Sequence, residues 1–302
     1  GDFECLKAAV QNGADSVYLG ASSFSARAQA KNFNLEELKE AIDYAALRNV
    51  RVHLALNTLL TDNEFGKAVE VAKKAYEYGV SALIVQDLGL ATYLLKHFPD
   101  LPIHASTQMT VHNLEGVKQL EKLGYSRIVL ARETPLNVIR NIKDETKLEV
   151  EAFIHGALCV SYSGNCFMSS AIGERSGNRG RCAGCCRKLY TLLDTSNNKR
   201  IKTGYLLSMK DLNLSNEIDK MDFVDSFKIE GRMKEPSYIA SSVSVYRKLI
   251  DKQFVDKHDL DKIFNRTYTK GFINNASSKD ITNINRPNNY NHSKNNNRIK
   301  FR

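Results

Sequence analysis

The 302-residue chain lacks any uninterrupted apolar run near 18 residues, so no stretch of it reads as a membrane-spanning helix. Its opening, GDFECLKAAV, lacks the basic-then-apolar order of a secretory leader. No H-E-x-x-H occurs, which removes the usual helical signature of a zinc peptidase. Cysteine is scarce outside one stretch: five of six (Cys159, Cys166, Cys182, Cys185 and Cys186) fall within 28 residues, and Cys5 stands alone as a small apolar residue on a helical pattern. A chain of this length can build a core without covalent staples, which argues against a secreted disulfide scaffold and for a cytoplasmic protein. With 42% hydrophobic and 25% charged residues, the composition is that of one large globular domain or two.

What is present is concentrated in HGALCVSYSGNCFMSSAIGERSGNRGRCAGCCRKLY, residues 155–190. The spacing C-x6-C-x15-C-x2-C-C lacks the two paired knuckles of a zinc ribbon and offers four or five soft ligands of the kind an iron-sulfur cluster takes. Structural zinc remains open, because four thiolates also satisfy a tetrahedral zinc ion. A thioredoxin-like Cys182/Cys185 pair also remains open, although this C-x-x-C lies in a Gly- and Arg-rich loop rather than between a strand and a helix.

The net charge of +9 is unevenly placed. Residues 174–202 hold eight bases against two acids, and residues 283–302 hold five bases and no acid. A basic patch around the cysteine loop points to an anionic partner, nucleic acid first, with Arg175, Arg179, Arg181 and Arg187 as phosphate contacts; a merely solvated basic loop is the plainer alternative. The Asn- and base-rich tail is expected to be disordered or the start of a truncated further domain.

Short β-branched or aromatic runs alternate with amphipathic helical patterns: SVYLG (16–20), RVHLALN (51–57), ALIVQD (82–87), PIHASTQ (102–108), RIVLARE (127–133), LEVEAFIHG (148–156), GYLLSMKD (204–211) and SFKIEG (226–231). About eight strand–helix units predict an α/β protein with a (β/α)8 TIM-like barrel over residues 1–282, with the loop at 157–190 capping the carboxyl ends of the strands; a doubly wound open sheet is the alternative. Polar residues close several of these runs, among them Asn57, Gln86, Ser106, Arg132, His155, Lys228 and Glu230, where barrel enzymes place their chemistry. By period-two spacing Glu151 and His155 share a face with Phe153 and are candidates to move protons or orient neighbouring groups. Lys228, Glu230 and Arg232 share a face too, either gripping a small carboxylate or closing the mouth as a salt-bridge network. Ser163 lies eight residues from His155, which leaves a Ser–His hydrolase open, yet that chemistry would not use the remaining clustered cysteines.

The cysteine block, with FSARAQAKNF, NTLLTDNE, VQDLG, HASTQMTVHN, VLARE, SMKDL, FKIEGRMKEPSYI and FNRTYTKGF, resembles peptidase family U32, the collagenase-like peptidases, from residue 1 to about 287. It is most similar to members that hydroxylate the wobble uridine of tRNA with prephenate; other relatives hydroxylate a ribosomal RNA cytidine, serve ubiquinone hydroxylation or were described as collagen-degrading proteases. The resemblance implies a barrel carrying an iron-sulfur cluster, 4Fe-4S, on Cys159 and Cys166, with NRG-x-C-x-x-x-C-R adding Cys182 and Cys186; Cys185 is an additional thiol outside that pattern. It further implies tRNA and a small dicarboxylate as partners, with room for a related partner subunit. For the carboxylates, Arg27, Arg132, Lys228 and Arg232 are the candidates, beside the proposed catalytic Glu151, His155 and Glu230. Because such chains begin with a strand ending in PAG and this one opens at Gly1, a missing first barrel strand is expected. The runners-up are a collagenase-type peptidase and a noncatalytic cluster-bearing RNA-binding protein.

Overall fold

The computed structural model describes residues 1–28, 30–274 and 278–285; most of the expected disordered tail therefore lies outside the described residues. Helix α1 (Phe3–Gln11) leads into β1 (Ser16–Gly20), followed in alternation by α2 (Leu35–Ala46), β2 (Arg51–Leu56), α3 (Asp62–Glu77), β3 (Ala82–Val85), α4 (Leu88–His97), β4 (Ile103–Ala105), α5 (Leu114–Leu123), β5 (Arg127–Val129), α6 (Leu136–Glu145) and β6 (Glu149–Ala157). Local chemistry sets the boundaries. Asn34 accepts from the Glu37 N–H at 2.9 Å while the Glu37 carboxylate accepts from the Asn34 N–H at 3.0 Å, a reciprocal cap that starts α2. Gly79, at φ +85°, takes the left-handed turn after α3. All four residues of β3 are buried, as a strand covered on both faces requires.

Strands β1 to β6 lie side by side in chain order and pair in parallel. After β6 come α7 (Met168–Gly173), the hairpin β7 (Tyr190–Asp194) and β8 (Lys199–Gly204), then β9 (Asp211–Asn213), β10 (Ser226–Ile229), α8 (Pro236–Ile250), β11 (Tyr268–Thr269) and α9 (Ser278–Ile281). The other edge of β6 is shared: β10 runs parallel to it at residues 151–155, and β9 runs antiparallel at residues 155–157. The expected run GYLLSMKD forms no strand along its length; β8 ends at Gly204 and β9 begins at Asp211.

The fold is thus α/β with a mostly parallel central sheet, and the closed (β/α)8 ring is not formed among the described residues. No ladder joins β10 to β1 there. Instead the two edges face each other across a cavity of about 490 Å³ walled by α1 and α8. Contact between the edges includes the Tyr18 hydroxyl, 3.5 Å from the Ile229 carbonyl oxygen and 3.3 Å from Glu230 Oε1.

Candidate functional site

A cavity of about 440 Å³ opens where the strands end, and its wall includes all five clustered cysteines together with Arg27, Arg132, Lys228, Glu230 and Arg232. Alternation along β10 and the segment after it sends Lys228, Glu230 and Arg232 to the same side. Glu230 accepts from Arg132 at 3.0 Å and faces Arg27 at 3.7 Å. Burial opposes the Glu230 charge, but Arg27, Arg132, Arg232 and Lys228 outweigh it and carry the carboxyl down to about 2. Arg132 stands over the Phe153 ring, with Cζ 3.9 Å from its centroid. Arg232 donates to Ser25 Oγ at 2.7 Å, while its buried Nε has no hydrogen-bond partner among the described residues. Three guanidinium groups therefore surround one carboxylate, and a donor is left over.

Below the mouth, at the start of the strands, a second cluster closes on itself. Arg127 donates to Glu149 at 2.6 Å and to Glu151 at 3.1 Å; Lys228 reaches Glu151 at 2.5 Å, and the Ser226 hydroxyl donates to the same carboxylate at 3.0 Å. Burial works against the Glu151 charge, and Lys228 and Arg127 hold the carboxyl at about 2 despite it. Glu151 is thus tied into a buried ion network and does not line the cavity beside the cysteines.

His155 is not at the mouth. The register slips between Lys228 and Ile229: Phe153 pairs with Lys228, but His155 pairs with Ile229, leaving Ile154 as an extra residue in β6. This bulge reverses the alternation after Phe153. The imidazole consequently sits among Tyr238, Tyr246 and Tyr268, with centroids 5.5–5.8 Å away, and burial lowers its pKa to about 4. The face predicted for Glu151, Phe153 and His155 together ends at Phe153.

Side-chain hydrogen bonds and close backbone approaches hold the cysteine loop against the strand ends. Ser163 Oγ donates to Glu133 at 3.1 Å and accepts from the Arg132 N–H at 3.3 Å, and no histidine is among its partners. Gly164, at φ +82°, approaches so closely that a Cβ there would stand 2.0 Å from the Gln108 carbonyl oxygen. Gly180 likewise abuts the Ser25 carbonyl oxygen. Arg187 donates to the carbonyls of Leu158 and Met209 and to Ser208, so its charge anchors the loop's end rather than projecting outward. Arg179 is occupied by Glu64 at 2.5 Å and the Leu59 carbonyl at 2.6 Å, and Arg175 donates to the Arg181 carbonyl at 3.2 Å. Arg181 is exposed.

The six cysteines are free thiols. Burial raises the Cys186 pKa, Arg187 opposes it, and the neighbouring Cys159, Cys182 and Cys166 add to the rise, so these thiols sense one another. Arg27 in turn is near Cys159 and Cys182. Among the described residues no three Cys, His, Asp or Glu groups stand at metal-ligating spacing. The donor chemistry and shared cavity nevertheless fit a soft metal, onto which the loop would have to tighten. Asn57, expected at a strand end, lines the cavity and accepts from the Ala26 N–H, while Tyr18 and Ser25 line or brace this site without having been singled out in the sequence. The polar Tyr18 between Val17 and Leu19 in SVYLG was the available signal for the first of them.

The chain matches the profile of peptidase family U32 across residues 1–283. It belongs to that family. An uncharacterized protease of Methanocaldococcus jannaschii is 40% identical over 290 residues, covering 90% of this chain and 70% of that protein. The 23S rRNA 5-hydroxycytidine C2501 synthase of Escherichia coli is 39% identical over 93% of this chain, which spans 45% of the synthase. The tRNA hydroxylation protein P1 of Bacillus subtilis is 34% identical over 90% of this chain and 69% of its own length.

Proposed function

We propose that this U32 protein modifies RNA by hydroxylation, with the wobble uridine of tRNA as target and prephenate as the small co-substrate, in the cytoplasm. The observation that carries this reading is the cavity in which Arg27, Arg132 and Arg232 surround the single Glu230 beside clustered thiols. Surplus buried cations favour an anionic ligand, since an unpaired buried charge is costly. Arg232, with its partnerless Nε, and Arg132 would grip a carboxylate, while Glu230 holds the guanidinium groups in place. Cys159, Cys166, Cys182 and Cys186 would hold a 4Fe-4S cluster, which supplies one-electron redox capacity when bound. A base already unpaired in an RNA loop enters such a pocket at low unstacking cost. Completion of the sheet to a full barrel, by a strand between β1 and β10, belongs to the same proposal.

The peptidase reading is second. Ser163 would be its nucleophile, but the hydroxyl is bonded to Glu133, and His155 lies in a separate tyrosine-lined pocket. The test is nucleoside mass spectrometry of RNA from cells carrying the intact gene, its deletion or Arg232→Gln. Loss of a hydroxylated nucleoside in both altered strains supports the proposal. An unchanged nucleoside profile on deletion, with collagen cleavage abolished by Ser163→Ala, would replace it with the peptidase.

A further inference from the structure

Among the described residues the β7–β8 ribbon pairs with no strand of the main sheet. A lone two-stranded hairpin is only marginally stable in water, yet this one leaves Leu192 52% exposed, Leu193 44% and Ile201 61%. Leu192 stands opposite Lys202 and Leu193 opposite Arg200, with a bulge between, so each face joins an aliphatic side chain to a cation. Lys188, Lys199, Arg200 and Lys202 are exposed, and none of the four makes an ion pair among the described residues. The ribbon's one acid, Asp194, is occupied in the turn, accepting from Ser196 and Asn197 at 2.6–2.9 Å.

The foot of this ribbon is fixed to the cavity wall. Cys185, Cys186 and Arg187 line the cavity, the Tyr190 hydroxyl donates to the Cys185 carbonyl at 3.0 Å, and the Tyr205 N–H donates to the Ile284 carbonyl at 2.9 Å. A basic arm thus rises beside the opening. By contrast, Arg179 and Arg187, in the loop itself, are already bound to protein groups.

We propose that β7–β8 is an RNA-binding ribbon that grips the sugar–phosphate backbone flanking the base presented to the cavity. This rests on the RNA reading of that cavity. Cations on both faces of a narrow ribbon suit a polyanion that lies along it, and Leu192, Leu193 and Ile201 would cover sugar and base surface between phosphates. A partner protein would call for the aliphatic side chains to gather into one patch, whereas here the cross-strand register divides them between the faces.

The test measures binding of total tRNA and of oligouridine to the full chain across a salt series. A variant combining Lys199→Glu, Arg200→Glu and Lys202→Glu should weaken both at least about tenfold at low salt. Its slope of log affinity against log salt should be shallower by about 2, since each lost phosphate contact removes about 0.7. The milder Gln triple variant should fall between, and circular dichroism with dicarboxylate-induced thermal stabilisation should match wild type for both. Wild-type affinity and slope in the Glu variant would overturn the ribbon while leaving the RNA reading intact. A wild-type chain that binds neither RNA at any salt would overturn both.

Discussion

Two largely buried charge clusters lie one below the other, the lower on β5, β6 and β10 and the upper on the segments that follow β1, β5 and β10, and they are balanced differently. At the start of the strands, Arg127 and Lys228 face Glu149 and Glu151, two cations for two anions, with Ser226 filling a remaining acceptor site. At the mouth, Arg27, Arg132 and Arg232 share Glu230. Burial penalises both sets of charges, and only the lower cluster answers the penalty wholly from within. The difference separates a structural network from a site: the lower cluster is complete as folded, whereas the mouth holds cationic surplus and an orphan donor that an anion would satisfy.

The largest effect should come from opening the complete network. Glu151→Ala leaves Lys228, 9% exposed at its side chain, and Arg127, 4% exposed, without a buried partner. Urea denaturation should show a loss of about 3–5 kcal/mol, much of it recovered when Glu151→Leu is combined with Lys228→Met. A loss below about 1 kcal/mol would mean that the lower cluster is not held by pairing, and the contrast with the mouth would disappear.

At the mouth the corresponding change should separate binding from folding. Arg232→Gln removes a surplus cation and should leave the stability of the free protein within about 1 kcal/mol of wild type. A bound dicarboxylate at a hundredfold its Kd should stabilise wild type by about 2.7 kcal/mol, seen as a rise in Tm, and this rise should be lost in the variant. An undiminished rise would reassign the mouth cluster as a salt-bridge lid.

Acid should take the two clusters apart in stages. His53 and His104, edge-on at 4.8 Å beneath the mouth, are buried, which lowers their pKa values to about 4 and about 2. A histidine depressed on folding contributes stability above its ordinary 6.5 that is lost as pH falls toward the folded value. The first loss therefore starts at about pH 6.5 and ends near 4 for His53 and near 2 for His104, and His104→Phe, which replaces a ring whose Nδ1 has no partner among the described residues, should make it shallower. The second runs from about 4.5 to 2 as Glu151 and Glu230 gain protons. A dicarboxylate should shift this second stage less in Arg232→Gln than in wild type. A single unbroken decline, unaltered by His104→Phe, would remove the histidines from the account.

Much of this arrangement was legible because apolar runs mark strands directly: SVYLG, RVHLALN and ALIVQD became β1, β2 and β3 within two residues. The charged triplet 228, 230 and 232 was legible by alternation, which holds there. His155 was misplaced because a β-bulge is set by which strand lies alongside, and β10 is some 70 residues further along the chain. The β7–β8 ribbon was missed because KLYTLLD and KRIKTG mix aliphatic and basic residues without a clean period, although TSNN between them is turn chemistry and Asn198 adopts φ +57°. That Arg179 and Arg187 are engaged by protein groups depends on Glu64 and on the Leu158 and Met209 carbonyls, contacts that charge counting along the chain does not register.

The smallest effect should arise at the residue that touches both clusters. Lys228, part of the lower network, lies 4.2 Å above the Tyr18 ring, and the Tyr18 hydroxyl meets Glu230 of the mouth at 3.3 Å. Burial first, then the Glu230 charge, raises the phenol pKa, so the hydroxyl stays protonated and donates. Both of its hydrogen bonds are long, and a neutral donor at such distances contributes little, on the order of 0.5 kcal/mol. Tyr18→Phe should accordingly lower stability by less than about 1 kcal/mol and leave the dicarboxylate-induced rise in Tm near wild type, because the ring still faces Lys228. Tyr18→Leu should cost about 1–2 kcal/mol more, the ring's packing and its cation contact being lost together. If Tyr18→Phe alone abolished the ligand-induced rise, the hydroxyl would be part of the anion site, and the boundary between the self-satisfied cluster and the ligand-seeking one would pass below Tyr18 rather than through it.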